Sequence, residues 1–313
     1  MHWADRVGRR IKLRDLHILL AVVEWGSMAK AADRLAISRP AVSKGIANLE
    51  RALGVSLLER SAAGVAPTHF GHALLKRSGI VFDELRQGVR DIEFLSDPTV
   101  GELSIGCSEP IAAGFLATTI DRLLNKHPKL VFSIEQDDAV TLQLRHLRER
   151  RVELVIARML PAPAEDIKAD FLFHEQLFVV AGNRSKWASR RKVALAELAA
   201  APWILAPLEL GSGSPVVEAF HLDGSQVPKA QVVGYSLPLR ATLLESGRFL
   251  TVIPGSILRS SAHRHSFKVL PVKLPSWQQP VAVLTLQNRV LSPVAQLFIE
   301  CARDVAKDLA KKN

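Results

Sequence analysis

Ser38, Arg39, Pro40, Ser43 and Lys44 bring two cations and two hydroxyls into seven residues without an acid among them. A guanidinium offers a planar fork of donors that matches base edges, while hydroxyls and ammonium groups hold phosphate oxygens. Ser27 and Lys30, just upstream, add a third hydroxyl and a third cation of the kind that grips a nucleic-acid backbone. The chemistry these residues can do is therefore recognition of a polyanion.

Catalytic chemistry has no comparable cluster. A nucleophile needs a base and an orienting group, and no GxSxG elbow accompanies any serine. Gly211-Ser212-Gly213-Ser214 lacks both the GxGxxG spacing and a Walker lysine and reads as a loop. His263-Arg264-His265 has no Cys or acidic partner at ligand spacing, and Cys107 and Cys301 lie far apart and read as core residues. The expectation is a protein that is not an enzyme and holds no metal or cofactor.

The nucleic-acid candidates need helices to carry them. Leu16, Leu19, Leu20 and Val23 recur at helical spacing and predict a first helix over Leu13–Trp25, stopped by Gly26. Ser27 is a natural N-cap for a short second helix carrying Met28, Ala31, Ala32 and Leu35, whose small alanines let another helix approach. Ser38 caps a third helix that tolerates Pro40 in its first turn and ends near Leu53 before Gly54. Val42, Ile46, Leu49 and Leu53 form its inward stripe, leaving Arg39, Ser43, Lys44, Ala47, Asn48 and Arg51 to face elsewhere. Thr68 is a candidate N-cap for a long fourth helix with Leu74, Val81, Leu85, Val89 and Ile92 on a repeating stripe.

From Gly26 to Arg60 the sequence resembles the helix-turn-helix segment of LysR-type bacterial transcription regulators. The residues that carry the resemblance are the small-residue second helix, Ser38-x-Pro40-Ala41-x-Ser43, Leu49-Glu50, Leu53-Gly54-Val55 and the Leu57-x-Glu59-Arg60 exit into a wing. It implies that Ser27, Lys30, Ser38, Arg39, Pro40, Ser43, Lys44 and Arg60 contact double-stranded promoter DNA, with Arg39, Ser43 and Lys44 in the major groove. Departures fall at Arg39, where the family usually has Gln, at Lys44, where it has Arg, and in 61–66, which lack the usual basic wing residues. The fourth helix then corresponds to a linker that pairs two subunits, and the family forms homodimers and homotetramers and works with RNA polymerase.

Asp97-Pro98 and Gly101 break the helical pattern, and short apolar runs then alternate with amphipathic helices: 102–105, 130–135, 152–157, 177–180, 203–205, 250–253 and 281–286. This alternation predicts an α/β domain with largely parallel sheets. Leu103-x-Ile105-Gly106, His127-Pro128, 153–157 and Leu244…Ser246-Gly247-Arg248…Ile253-Pro254 resemble the periplasmic-binding-protein-like (type 2) effector domain of the same family. The resemblance implies a winged helix-turn-helix over 1–67, a linker helix over 68–96 and an effector domain over 97–313. Within the last, subdomain I takes 97–161 and 268–313 and subdomain II takes 162–267, with crossovers near 160–163 and 268–271.

Ligands of such sheets bind beyond the carboxyl ends of strands. That rule singles out Ser108, Glu109, Arg158 and Ser236 for a small-molecule effector. Two uses remain open for most of them: Ser108 and Ser236 as simple N-caps, and Arg158 as an ion-pair partner of Glu109, Asp137 or Asp138. Cys107–Pro110 with Trp203–Leu205 also resembles a branch linked to sugar or aromatic compounds.

The chain of 313 residues carries a net charge of +10, and its first 95 residues hold 15 Lys and Arg against 10 Asp and Glu. Such a bias suits a polyanionic partner. No apolar run near the start is long enough for a membrane span or a secretory signal, so a cytoplasmic protein without membrane contact is expected. Two readings from other classes stand beside the regulator: a solute-binding protein, disfavoured by the helix-turn-helix, and an architectural DNA-binding protein without ligand control.

Overall fold

The computed structural model describes residues 10–61, 64–160, 164–258, 267–275 and 280–310, and of Arg60 and Ser61 the backbone only. The chain folds as two units, Met1–Val89 and Arg90–Asn313.

In the first unit, α1 (Leu13–Trp25) ends at Gly26, whose φ of 63° is left-handed. There follow α2 (Met28–Arg34), α3 (Arg39–Leu53) and an antiparallel hairpin of β1 (Leu58–Ser61) and β2 (Gly64–Pro67). Leu16, Leu19, Val22, Ala31, Ala32, Val42, Ile46, Leu49 and Leu57 form the core. The buried face of α1 is broader than the spacing predicts. Ile18, Ala21 and Val22 are buried whereas Leu20 and Val23 are only half-buried, because α2, α3 and β2 all pack on this helix. The Val65 N–H donates to the Gly26 carbonyl at 3.2 Å and ties the hairpin to the turn between α1 and α2.

The long helix α4 covers His69–Ser96. Thr68 starts it: its hydroxyl oxygen accepts from the Gly71 N–H at 3.1 Å and donates to the Ser56 carbonyl at 2.8 Å. Leu74, Leu75 and Phe82 pack on the core of the first unit. Val81, Leu85, Val89, Ile92 and Leu95 instead stand 40–77% exposed, a continuous apolar stripe that its own domain leaves uncovered.

The second unit contains two five-stranded sheets. The first has strand order β4-β3-β5-β12-β6, built from β3 (Val100–Cys107), β4 (Lys129–Gln136), β5 (Leu154–Arg158), β6 (Ile167–Phe173) and β12 (Val281–Leu286). Between β3 and β4 runs α5, which comprises Glu109–Ile111, a π-helical stretch Ala112–Leu116 and Ala117–Leu124. Helix α6, Ala139–Thr141 and π-helical Leu142–His146, joins β4 to β5. The second sheet, β11-β7-β10-β8-β9, uses β7 (Leu177–Ala181), β8 (Trp203–Leu205), β9 (Ala230–Val233), β10 (Leu250–Pro254) and β11 (Lys268–Val269). Its helices are α7 (Leu195–Ala199), α8 (Pro207–Leu210), α9 (Pro215–Leu222), α10 (Leu237–Glu245) and α11 (Gly255–Leu258), and α12 (Pro293–Ala310) returns to the first sheet.

Two expectations need correction. The sheets are mixed: β12 is antiparallel to β5 and β6, and β7 is antiparallel to β10 and β11. One strand in each therefore opposes four that share a direction. The subdomain limits also move. Ile167–Phe173 still belongs to the first sheet, whereas Lys268–Val269 pairs in the second and Leu270 and Leu274 lie in its core. The chain thus crosses after Phe173 and returns after Leu274, not near 160–163 and 268–271. Lys168 and Asp170, in the middle of β6, interrupt the apolar pattern of this edge strand and hide its strand character.

Glu153 fastens α12. Its carboxylate accepts from the Ser292 N–H at 2.6 Å and the Ser292 hydroxyl at 3.1 Å, and Ser292 in turn accepts from the Ala295 N–H at 3.1 Å. Burial lifts the Glu153 carboxyl above its ordinary range, opposed by the Ser292 bonds and by the charges of Arg289 and Arg90. Glu153→Ala is expected to cost about 1–3 kcal/mol in chemical denaturation, since a buried N–H loses its acceptor. A raised folded-state pKa means that the native protein holds the proton more tightly. That contribution is full below the unfolded value and lost as pH rises through the folded one. Acidification from neutral pH should therefore shift the stability difference between wild type and Glu153→Gln in favour of the wild type.

Candidate nucleic-acid interface and effector cleft

The first turn of α3 is where the nucleic-acid candidates converge. Ser38, Arg39, Pro40, Ser43 and Lys44 are all exposed. Ser38 accepts from the Ala41 N–H at 3.3 Å and Ser27 from the Lys30 N–H at 3.5 Å, so both serines cap the helices they precede. Neither α2 nor α3 has an acid in its first turn, which leaves their positive ends open to phosphate. Among the described residues Lys30, Arg39 and Lys44 make no ion pair. Ser43 is partly committed, because its hydroxyl donates to the Met28 Sδ at 3.6 Å and links α3 to α2. Arg34 lies with its guanidinium carbon 4.4 Å from the centre of the Trp25 ring, a cation–π contact that holds it on the surface of its own unit. The Arg60 backbone lies in β1 opposite Val65, and its side chain is outside the described residues.

In the second unit the parallel register of β3, β4 and β5 sets Cys107 beside Gln136 and Ile156, so the carboxyl ends of the three strands share one edge. Ser108 and Glu109 follow the first strand, Asp137 and Asp138 the second, and Arg158 closes the third. The parallel strands β8, β9 and β10 form the matching edge of the second sheet, from which Glu209, Tyr235, Ser236 and Ser256 emerge. The two edges meet. The Leu237 N–H, at the start of α10, donates to the Glu109 carboxylate at 3.1 Å. Behind this contact α5 packs on α11 at Gly114, where a Cβ would come within 2.9 Å of the backbone of Ser256 and Ile257.

Charge in the cleft is largely balanced from within. Burial draws the Arg158 guanidinium below its usual value, and Glu175 and Glu209 oppose that shift. The acidic charges that act on Arg158 are those of Glu175 and Glu209. Glu175 accepts from the Ser256 N–H at 3.2 Å and its hydroxyl at 2.6 Å. Glu209 accepts from the Ala206 N–H at 2.6 Å and from buried Arg240 at 3.2 Å, while Arg240 also reaches the Gly234 and Val252 carbonyls. Tyr235 is raised by burial and by the charges of Asp138 and Glu209. The Thr141 hydroxyl, foremost, holds Asp138 below the ordinary carboxylate range, as this residue caps α6.

Ser108 is half-buried and makes no bond to its own helix, so its hydroxyl is available. Ser236 is exposed and accepts from the Leu239 N–H at 3.3 Å, which makes it the N-cap of α10. Glu175, Glu209, Arg240 and Tyr235 were not legible as cleft residues, since their partners lie far away in sequence. Gly211–Ser214 forms the turn into α9, with Ser214 accepting from the Val217 N–H at 3.2 Å. Burial pushes the Cys107 thiol up to about 12, as suits a core residue. Among the described residues no group of three metal-binding side chains occurs, and no helix is long and apolar enough to cross a membrane. His263–His265 lie outside the described residues.

Comparison with known proteins matches both units. Residues 13–72 fit the bacterial regulatory helix-turn-helix protein model of the lysR family, and 96–307 fit the LysR substrate binding domain. The HTH-type transcriptional regulator YybE of Bacillus subtilis is 27% identical over 271 residues, covering 87% of this chain and 91% of that protein. The HTH-type transcriptional regulator GbpR of Azospirillum brasilense is 26% identical, covering 94% of this chain and 86% of its own. Among solved structures, CbnR, a LysR family transcriptional regulator, superposes with a TM-score of 0.63 at 22% identity, covering 95% of this chain and 100% of that one. Full-length CbnR complexed with its target DNA gives 0.53 at 24% identity, covering 94% and 99%. With a helix-turn-helix followed by a two-sheet α/β domain, and with the substrate-binding model matching more than half its length, the chain belongs to the LysR family of DNA-binding transcriptional regulators.

Proposed function

We propose that this regulator reads promoter DNA through the first turn of α3 and that a small molecule bound between its two α/β layers modulates that binding. Arg39 and Lys44, with Ser43, enter the major groove, while Ser27, Lys30, Ser38 and the N-terminal ends of α2 and α3 hold backbone phosphates. The observation that carries this reading is the exposed cation pair of α3, which has no acid in its first turn. The apolar stripe of α4 supports pairing of two copies, which would present two such helices to half-sites about one DNA turn apart. RNA polymerase is the natural further partner of a promoter-bound regulator, and the role is one of binding, not catalysis.

Effector control rests on the meeting of the two sheet edges through Glu109 and Leu237, because a molecule lodged there changes the distance between the layers. Such coupling is reciprocal, so DNA must alter effector affinity by the same factor. Selection of bound genomic fragments by the purified protein, followed by footprints at fixed salt, tests the reading. A discrete extended site with paired half-sites is the expected result. Salt-sensitive binding without sequence preference would replace it with an architectural role.

A further inference from the structure

The backbone N–H groups in the first turn of α10 are all used within the protein. Ser236 caps the helix and accepts from the Leu239 N–H at 3.3 Å with its side chain. The Ser236 carbonyl accepts from the Arg240 N–H at 3.2 Å, and Pro238 has no N–H to give. The remaining donor of the turn, the Leu237 N–H, is taken by Glu109 at 3.1 Å, 128 residues away in sequence and on the opposite layer. A carboxylate supplied by the protein thus stands where a helix N-terminus would otherwise hold an anionic ligand group.

Among the described residues, the arginines of the cleft are set against acids of the protein itself. Glu175 and Glu209 act on Arg158, and Arg240 is bonded to Glu209, Thr251 and two carbonyls. Among the described residues the cleft still offers the Ser108 and Ser236 hydroxyls, the Tyr235 phenol and the second oxygen of Glu109, which has no donor among them. An incoming anion would meet that oxygen, and like charges at close range repel. Hydroxyl or amine donors would be accepted by it.

We propose that Glu109 is the specificity-determining residue of the effector cleft: its carboxylate fills the anion position at the start of α10, so that the cleft takes an uncharged or cationic polar effector and rejects a carboxylate. This rests on the effector reading above. Truncation of Glu109 frees the Leu237 N–H and the positive end of α10, and converts the cleft into one that binds small carboxylates.

Thermal unfolding of the full chain, with sodium acetate as the probe and sodium chloride at equal ionic strength as the control, tests this. Acetate should raise the midpoint of Glu109→Ala by on the order of 3–6 °C once it exceeds its dissociation constant tenfold. The wild type and Glu109→Gln, whose side-chain oxygens still occupy the position, should not respond. Glu109→Ser vacates the same place and repeats the measurement should the alanine variant fail to fold. An acetate shift in the wild type equal to that in the truncated variants, or none in either truncated variant, overturns the assignment. Footprints taken on the same proteins separate the two readings: an acetate-stabilised variant whose footprint is indifferent to acetate leaves Glu109 in its role and removes the coupling of the cleft to DNA.

Discussion

Arg39→Ala is expected to lose discrimination between operator and mutated operator by about 1–3 kcal/mol, roughly 5- to 150-fold in relative affinity. The reasoning is geometric. Arg39 is exposed at the first position of α3, and no acid in that turn competes for its guanidinium. A guanidinium there can meet guanine O6 and N7 at once, and loss of a bidentate contact to a base edge falls on one base pair rather than on all sequences. Lys30 differs. It sits at the start of α2, also exposed, beside a helix end suited to phosphate. Lys30→Ala should weaken operator and random DNA alike and lower the salt slope by about one. Titrations of both variants on cognate and scrambled duplexes at several salt concentrations check this. Equal loss of discrimination in the two variants would contradict the division between base reading and phosphate holding.

Gly182→Ala should destabilise the second unit by about 3 kcal/mol, at the upper end of what overpacking usually costs, which lowers its unfolding midpoint by roughly 6–12 °C. Gly182 is the residue after β7, and a Cβ on it would lie 1.8 Å from the Leu244 carbonyl oxygen and 2.7 Å from its carbonyl carbon. Those atoms belong to the backbone of α10, so no side-chain rotation relieves the overlap. Either β7 or α10 has to move, and α10 carries the N–H that donates to Glu109. Calorimetry of the full chain should show the loss in the transition of the second unit, and a midpoint within a degree or so of wild type would contradict the close approach.

How much of this could be read beforehand depended on how local each cause is. The limits of α1, α2 and α3 follow from Gly26, Ser27, Ser38 and Gly54, residues that act on the backbone within four positions, and sequence reading found them. The exposure of Arg39 and Lys44 followed from the same helical phase. Strand β6 was missed because Lys168 and Asp170 interrupt its apolar pattern, and with it went the position of the crossover. Ser108, Glu109, Arg158 and Ser236 were selected by a rule about strand ends, yet their partners were not. Glu175 meets Ser256 across 81 residues and Arg240 meets Glu209 across 31, distances over which no local pattern operates. Glu109 was recognised as an acid in the cleft, but its bond to the Leu237 N–H needed the two layers in place.

The strand order of the first sheet also has a bearing on how the chain is made. Its fourth strand, β12, lies between β5 and β6 and comes from 281–286, after every other strand among the described residues has left the ribosome. Until then β5 has an open edge and β6 has no neighbour to join, while every strand of the second sheet, through Val269, has already been synthesised. The layer encoded in the middle of the gene can thus close first, and the layer begun earlier waits for its final strand. A translating ribosome that stalls between these points would present an unpaired β5 edge, a template for association with other nascent chains.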